Sequence, residues 1–215
     1  GWTTGTGKVA IGKGALSSET SSSRSVAIGN STLESQNVGG SGSAYNTAVG
    51  SQAGNQVTTG TYNTLIGGLA GDALTTGYEN VAIGANALSA DDVGARSVAV
   101  GTGALKVQNT ASSLSVYNTA VGHFSGGSVT TGVQNTLIGA LAGDATTTAN
   151  NNTAVGFSAL TANTTGANNS ALGQGALQNN TTASNNVAMG YSALYANTTG
   201  ASNVAIGNNA LSLNT

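Results

Sequence analysis

The chain reads as short apolar phrases, each closed by a glycine and set apart by stretches of Asn, Thr, Ser and Gly. Val9-Ala10-Ile11-Gly12, Val26-Ala27-Ile28-Gly29, Thr47-Ala48-Val49-Gly50 and Val204-Ala205-Ile206-Gly207 are four instances. The closing, or marker, glycines are Gly12, Gly29, Gly50, Gly67, Gly84, Gly101, Gly122, Gly139, Gly156, Gly173, Gly190 and Gly207. Successive markers lie 17 residues apart, except for two gaps of 21. Helical spacing over ten or more residues is missing, and brief β-branched runs punctuated by glycine are the signature of strands and turns. A fixed period of this kind belongs to a solenoid.

The spacing therefore predicts an all-β fold, a parallel β-roll of about twelve 17-residue coils, with like residues stacked at roughly 4.8 Å. Two short strands per coil are expected, one over the phrase before the marker and one near the following Ala-Leu phrase, with the marker at a tight corner between them. Residues 1–215 read as a single repeat domain in which a four-coil block, 29–100, is duplicated at 101–172. Leu65 and Leu137 replace the usual Ala two residues before the marker, and Gly54/Gly126 and Gly71/Gly143 match across the two blocks. Four residues before the marker stands a column of Asn: Asn46, Asn63, Asn80, Asn118, Asn135, Asn152, Asn169, Asn186 and Asn203. Such a column is expected to hydrogen-bond along the stack as a side-chain ladder. Strand alternation puts the aliphatic next to the marker and the Val or Thr two residues earlier on one face, and the intervening Ala on the other. Both faces are apolar and the second is small, so one is expected to fill the roll and the other to meet a partner closely, the small face being the one that favours an oligomer.

Composition changes the picture in one respect. With 33 Gly, no Pro and 4% aromatics, the chain could be a disordered polar tract, but a net charge of −2 and 39% apolar residues fit disorder poorly, and the held phase decides for order. Lys and Arg total only 5, so there is no basic stripe for nucleic acid, and no apolar run is long enough to span a membrane. The opening Gly1-Trp2 and the final Leu213-Asn214-Thr215, inside a repeat, read as a segment of something longer. Every ionised side chain lies within residues 1–144.

The recurring Asn/Ser-Val/Thr-Ala-Ile-Gly phrase resembles the head repeats of YadA-like trimeric autotransporter adhesins. The phrase from Gly190 through Tyr191, Leu194 and Tyr195 to Thr198-Thr199-Gly200 is similar to repeats of bacterial and phage tail-fibre proteins. The resemblance runs from Val9 to Leu211. It implies a left-handed, homotrimeric roll and a structural or adhesive fibre segment, extracellular, on a bacterial cell surface or a virion tail fibre. It departs from the adhesin heads in its coil length, which is greater here.

Candidate chemistry is sparse. No catalytic, cofactor-binding or metal site is expected, since the single His123 has no partners at ligand spacing and no nucleophile triad or acid pair is visible. His123 reads as a solvent-facing loop residue. Asp91-Asp92 reads as a turn rather than a cation site, and Gly101-Thr102-Gly103 as part of the coil period rather than a phosphate loop. Tyr45, Tyr62 and Tyr117, each five residues before a marker, are expected to stack. Phe124, Phe157 and Tyr191, just after markers, are the candidates for receptor contact, with a host surface protein or glycan as partner and no nucleic acid or membrane insertion. Two alternatives stand beside the fibre: a self-assembling extracellular filament with solenoids stacked head to tail, and an ice-binding solenoid built on recurrent threonines such as Thr58, Thr130 and Thr164.

Overall fold

A Val/Thr-Ala-aliphatic triplet suits a pleated strand, and each of the twelve triplets forms one in the computed structural model. The structure describes residues 6–21, 24–39, 42–110 and 115–214; the Gly1-Trp2 opening, part of each four-residue insertion and Thr215 lie outside them. The chain forms two units, Gly1–Gly103 with Asn109–Val116 and Ala104–Gln108 with Tyr117–Thr215. The first holds β1 (Val9–Ile11), β2 (Val26–Ile28), β3 (Thr47–Val49), β4 (Thr64–Ile66), β5 (Val81–Ile83) and β6 (Val98–Val100). The second holds β7 (Thr119–Val121), β8 (Thr136–Ile138), β9 (Thr153–Val155), β10 (Ser170–Leu172), β11 (Val187–Met189) and β12 (Val204–Ile206).

Within each unit the strands pair parallel in chain order, with like position on like position. Val9 faces Val26 and Ala10 faces Ala27 in the first unit, and Ala171 faces Ala188 in the second. The longer coil between β2 and β3 does not disturb this register, since Val26 still pairs with Thr47. Each unit is thus a parallel β-solenoid with about 17 residues per turn, and no helix occurs among the described residues.

The structure assigns the two strand faces and corrects one expectation: the small face, expected to favour an oligomer, lies inside. The central Ala of the triplet points inward and is fully buried in Ala27, Ala48, Ala82, Ala99, Ala120 and Ala154. The larger residues on either side of it point outward and are half-buried or exposed. The reason lies across the coil. Four residues past the marker, Leu16, Leu33, Leu88, Leu105, Leu160, Leu177 and Leu194 fill the interior with no exposed surface, which leaves room opposite for little more than a methyl group. Where that position is glycine, the strand supplies the volume instead. A Cβ at Gly54 would lie 2.6 Å from Leu65 Cδ1, and one at Gly71 would lie 2.8 Å from Leu65 Cδ2. One leucine therefore serves two coils. Leu137 does the same in the second unit, 2.7 Å from a Cβ at Gly126 and at Gly143.

A second strand per coil does not form. The Ala-Leu phrase is a run of turns, because the residues two and four past the marker both take left-handed backbone, as in Ser31 (φ 51°) and Leu33 (φ 48°), or Ser192 (φ 52°) and Leu194 (φ 51°). A third left-handed residue precedes each strand, as in Tyr62 (φ 59°) and Asn168 (φ 58°). Each such residue costs roughly 1–2 kcal/mol. What offsets it is direct: the twist turns the N–H along the stack. Leu33 N donates to Ala53 O at 3.1 Å, Ser192 N to Gln174 O at 2.9 Å, and Tyr62 N to Ala44 O at 2.8 Å. The coils are hydrogen-bonded to one another through the turns as well as the strands.

The marker itself admits only glycine. Its φ is 135° at Gly67 and 130° at Gly139, outside what an L side chain tolerates. A Cβ at Gly67 would lie 2.6 Å from the carbonyl carbon of Gly84 on the next coil.

Candidate interaction surfaces

The interior Asn side chains bond to one another and to the backbone. Asn135 N donates to Asn118 Oδ1 at 2.9 Å, Asn152 N to Asn135 Oδ1 at 3.0 Å, and Asn169 N to Asn152 Oδ1 at 2.9 Å. Each side-chain amide then closes the bend of its own coil, as Asn152 Nδ2 does on Gly166 O at 2.9 Å. Asn46, Asn63 and Asn80 run the same ladder in the first unit, and Asn186 and Asn203 continue it in the second. These side chains hold coils in phase and present nothing to a ligand.

A second inward column, seven residues past the marker, is also polar in most coils, and residue type alone did not single it out. Asn180 Nδ2 donates to Asn163 Oδ1 and Asn197 Nδ2 to Asn180 Oδ1, both at 3.0 Å. In the first unit the column is mixed. Ser25 stands where the first ladder would need Asn, and Gln36 from the second column reaches over: Asn46 Nδ2 donates to Gln36 Oε1 at 2.9 Å, and Gln36 Nε2 to Ser25 Oγ at 3.0 Å. Gln36 Nε2 also donates to Glu19 Oε2 at 3.0 Å, and Glu19 Oε1 lies 3.9 Å from the buried Lys8 Nζ. The 17-residue phase carries the signal for this column, since Glu19, Gln36, Asp91, Gln108, Asn163, Asn180 and Asn197 all fall at one position in it.

The outward strand face is the main apolar surface. Residues beside the inward Ala, such as Val81, Ile83, Val98 and Val100 in the first unit and Val121, Val155 and Val187 in the second, are partly exposed. Exposure is 37% at Ile66 and 46% at Leu172, and higher on the end strands, at Ile11 and Ile206. Hydroxyls alternate with these aliphatic groups in several coils, as at Thr47, Thr64 and Ser170, so the aliphatic file next to the markers is the continuous apolar feature of this face.

Beside the strands of the first unit runs a column of larger groups. Tyr45 and Tyr62 stack with centroids 5.1 Å apart at 12°. The Arg24 guanidinium lies 5.6 Å from the Tyr45 ring and donates to Ser43 Oγ at 2.6 Å. Arg96 sits 5.1 Å over Tyr78, pairs with Glu79 at 2.7 Å, and donates to Ser115 Oγ. Both arginines thus hold the returning end of an inserted loop. Tyr117, the corresponding residue of the second unit, is exposed.

The receptor-contact candidates separate. Phe157 and Tyr191 occupy one column, directly after their markers, and each is 54% exposed. Phe124 lies one residue further along its turn, half-buried and left-handed at φ 49°, edge-on to the exposed His123 with centroids 4.6 Å apart. Tyr195, which residue-by-residue reading passed over, joins Tyr191 in lining a groove with Ser192, Asn209, Ser212 and Leu213.

Carboxylates act locally. Asp91 Oδ1 accepts from Gly94 N at 3.0 Å across its turn. Burial pushes the Asp72 carboxyl above its ordinary range, against an opposing backbone hydrogen bond. Asp144 is pushed the same way by burial, with the nearby His123 opposing. The first threonine spends its hydroxyl within the stack at Thr58, Thr75, Thr130, Thr147, Thr164 and Thr181, as Thr147 Oγ1 does on Thr164 O at 3.0 Å, beside an exposed file of second threonines such as Thr148 and Thr165. Among the described residues no group of three or more His, Cys, Asp or Glu could hold a metal, and no helix is long and apolar enough to cross a membrane. No family model, curated protein or solved structure matches the chain.

Proposed function

We propose that the chain is a non-enzymatic segment of an extracellular adhesive fibre, in which copies associate, three at a time, through their outward strand faces. The observation that carries this reading is the inversion of the strand: the small Ala faces inward, and Val, Ile, Leu and Met face out. A solitary solenoid would gain by placing polar residues outside, as half-solvated sheets do. Here the outward residue next to the marker is aliphatic in every coil, while the one two residues earlier is Val in some coils and Thr or Ser in others, such as Thr64 and Ser170; the unbroken aliphatic file is what is expected of surface held against a partner. The repeat resemblance supports the trimer and the fibre setting. The ice-binding alternative gains less, since half of its threonine hydroxyls are committed within the stack.

Sedimentation of the purified chain tests the proposal. A trimer is expected, and it should dissociate when Val81→Glu and Ile83→Glu are combined, with the β circular-dichroism signal retained. A stable monomer at high micromolar concentration would overturn it, and long concentration-dependent fibres in electron micrographs would favour the head-to-tail filament instead.

A further inference from the structure

The groove on the turn side of the second unit is accounted for neither by the ladders nor by the strand face. Tyr191, Ser192, Tyr195, Asn209, Ser212 and Leu213 line an open depression of about 450 Å³, and none of the six belongs to a strand. Tyr191 is 54% and Tyr195 37% exposed, so two large rings that line the depression also face solvent. The adjoining coil keeps the rim low. It carries Gly175, where a Cβ would lie 3.4 Å from Ser192 Oγ and 3.8 Å from Tyr195 Cδ2. Phe157, in the same column as Tyr191 two coils away, adds a third exposed ring, with Gln174 between them.

The chemistry of this surface narrows what it can hold. The remaining groove polar groups are hydroxyls and an amide, and residues 145–215 contain no ionisable Lys, Arg, Asp, Glu or His. An anionic ligand would need a cation that the surface lacks. A peptide that docks by adding a strand would need a sheet edge, and the groove has no strand; other peptides are an outcome of the test below. A ligand with apolar C–H faces, a rim of hydroxyls and no charge satisfies both halves: rings take the faces, and Ser, Asn and Tyr hydroxyl or amide groups take the rim.

We infer that the groove binds a neutral saccharide, with Tyr191 and Tyr195 as stacking platforms and Ser192, Asn209 and Ser212 as hydrogen-bonding partners. This rests on the reading of the chain as an adhesive fibre and specifies the receptor class for it. The roughly 5 Å coil repeat places Phe157 and Gln174 so that they extend the surface for a longer oligosaccharide.

The full 215-residue chain is to be screened against an immobilised panel of neutral oligosaccharides (cellohexaose, maltohexaose, chitohexaose) and sialylated and sulfated counterparts, with hits followed by titration calorimetry. At least one neutral probe should bind, with little change between low and high salt. Tyr191→Ala should weaken binding about tenfold or more, and Ser212→Tyr, which fills the groove without removing a ring, should also weaken it. Tyr45→Ala in the first unit should leave it unchanged. Absence of binding to every neutral probe, a preference for the acidic probes, capture of peptide ligands in their place, or binding that survives both groove variants would each overturn the inference. Sedimentation of the same samples separates it from the fibre reading. A trimer that binds no sugar defeats the saccharide site alone, and a monomer that binds one defeats the fibre alone.

Discussion

The two units solve one problem differently. In the later coils of the second unit the inward column seven residues past the marker is uniform, Asn163, Asn180 and Asn197, each amide bonded to the next. In the first unit the same column carries Glu19, Gln36, Val57, Leu74 and Asp91, and at its start a buried Lys8–Glu19 ion pair replaces the amides. Both arrangements keep the backbone register. The comparison teaches that phase is enforced by what both units share, namely the marker glycines, the left-handed turn residues and the first Asn ladder. The second column is free to vary, provided each change is compensated: Gln36 reaches for the ladder where Ser25 falls short, and Val57 and Leu74 are apolar where Gly54 and Gly71 open the coil.

If the marker is the common element, breaking it should do equal harm in both units. Gly67→Ala and Gly139→Ala each drive a Cβ into the backbone of the next coil and should cost about 4 kcal/mol or more. Calorimetric unfolding that shows a large loss for one and none for the other would break the comparison. The next effect concerns compensation. Leu65→Ala should cost about 2–5 kcal/mol through the cavity it leaves, and adding Gly71→Leu, which restores the ordinary coil type, should recover part of that loss although Gly71→Leu alone is destabilising. A double-mutant cycle measures the coupling; simple additivity would show that Leu65 does not fill the Gly71 space.

Converting the first coil to the style of the second unit sharpens the contrast. Lys8→Asn alone removes the cation beside the buried Glu19, leaving its charge to hydrogen bonds such as that from Gln36, and should cost about 3 kcal/mol. Lys8→Asn with Glu19→Asn removes both charges and should restore stability to within about 1 kcal/mol of the parent, because a buried ion pair contributes little net. Denaturant titration reads both.

The smallest effect is a pH dependence. Burial raises the folded-state value of Asp72, so this residue favours the fold at low pH, and that contribution is lost as pH rises through the raised value. At neutral pH the charged Asp72 is a cost, and Asp72→Asn should raise Tm there with no gain below the carboxylate range. Asp144→Asn should act in the same direction, since burial raises Asp144 as well. Melting curves at several pH values check the sign in each unit.

Much of this architecture was legible in the residues. The 17-residue phase gave the coil and its parallel register, the markers gave the glycine column, and Asn at a fixed offset pointed to the ladder. What stayed illegible has physical causes. Both strand faces are apolar, so alternation alone could not say which is inside; only the Leu opposite, four past the marker, decides for Ala27 or Ala99. Leu33 and Leu194 also hide the missing second strand, because nothing in a leucine announces a left-handed backbone, which is imposed by hydrogen bonds to the neighbouring coil. The Tyr191–Tyr195 groove depends on side chains four residues apart lining one depression on the turn side, a placement that strand spacing does not suggest.

The central claim, in-register stacking of coils, is tested most directly by nitroxide labels on Thr165→Cys and Thr182→Cys, two exposed residues at one position of successive coils. Backbones about 5 Å apart at that position predict strong spin–spin broadening of the double-labelled chain relative to either single label. Spectra that simply sum the two singles would contradict the stack.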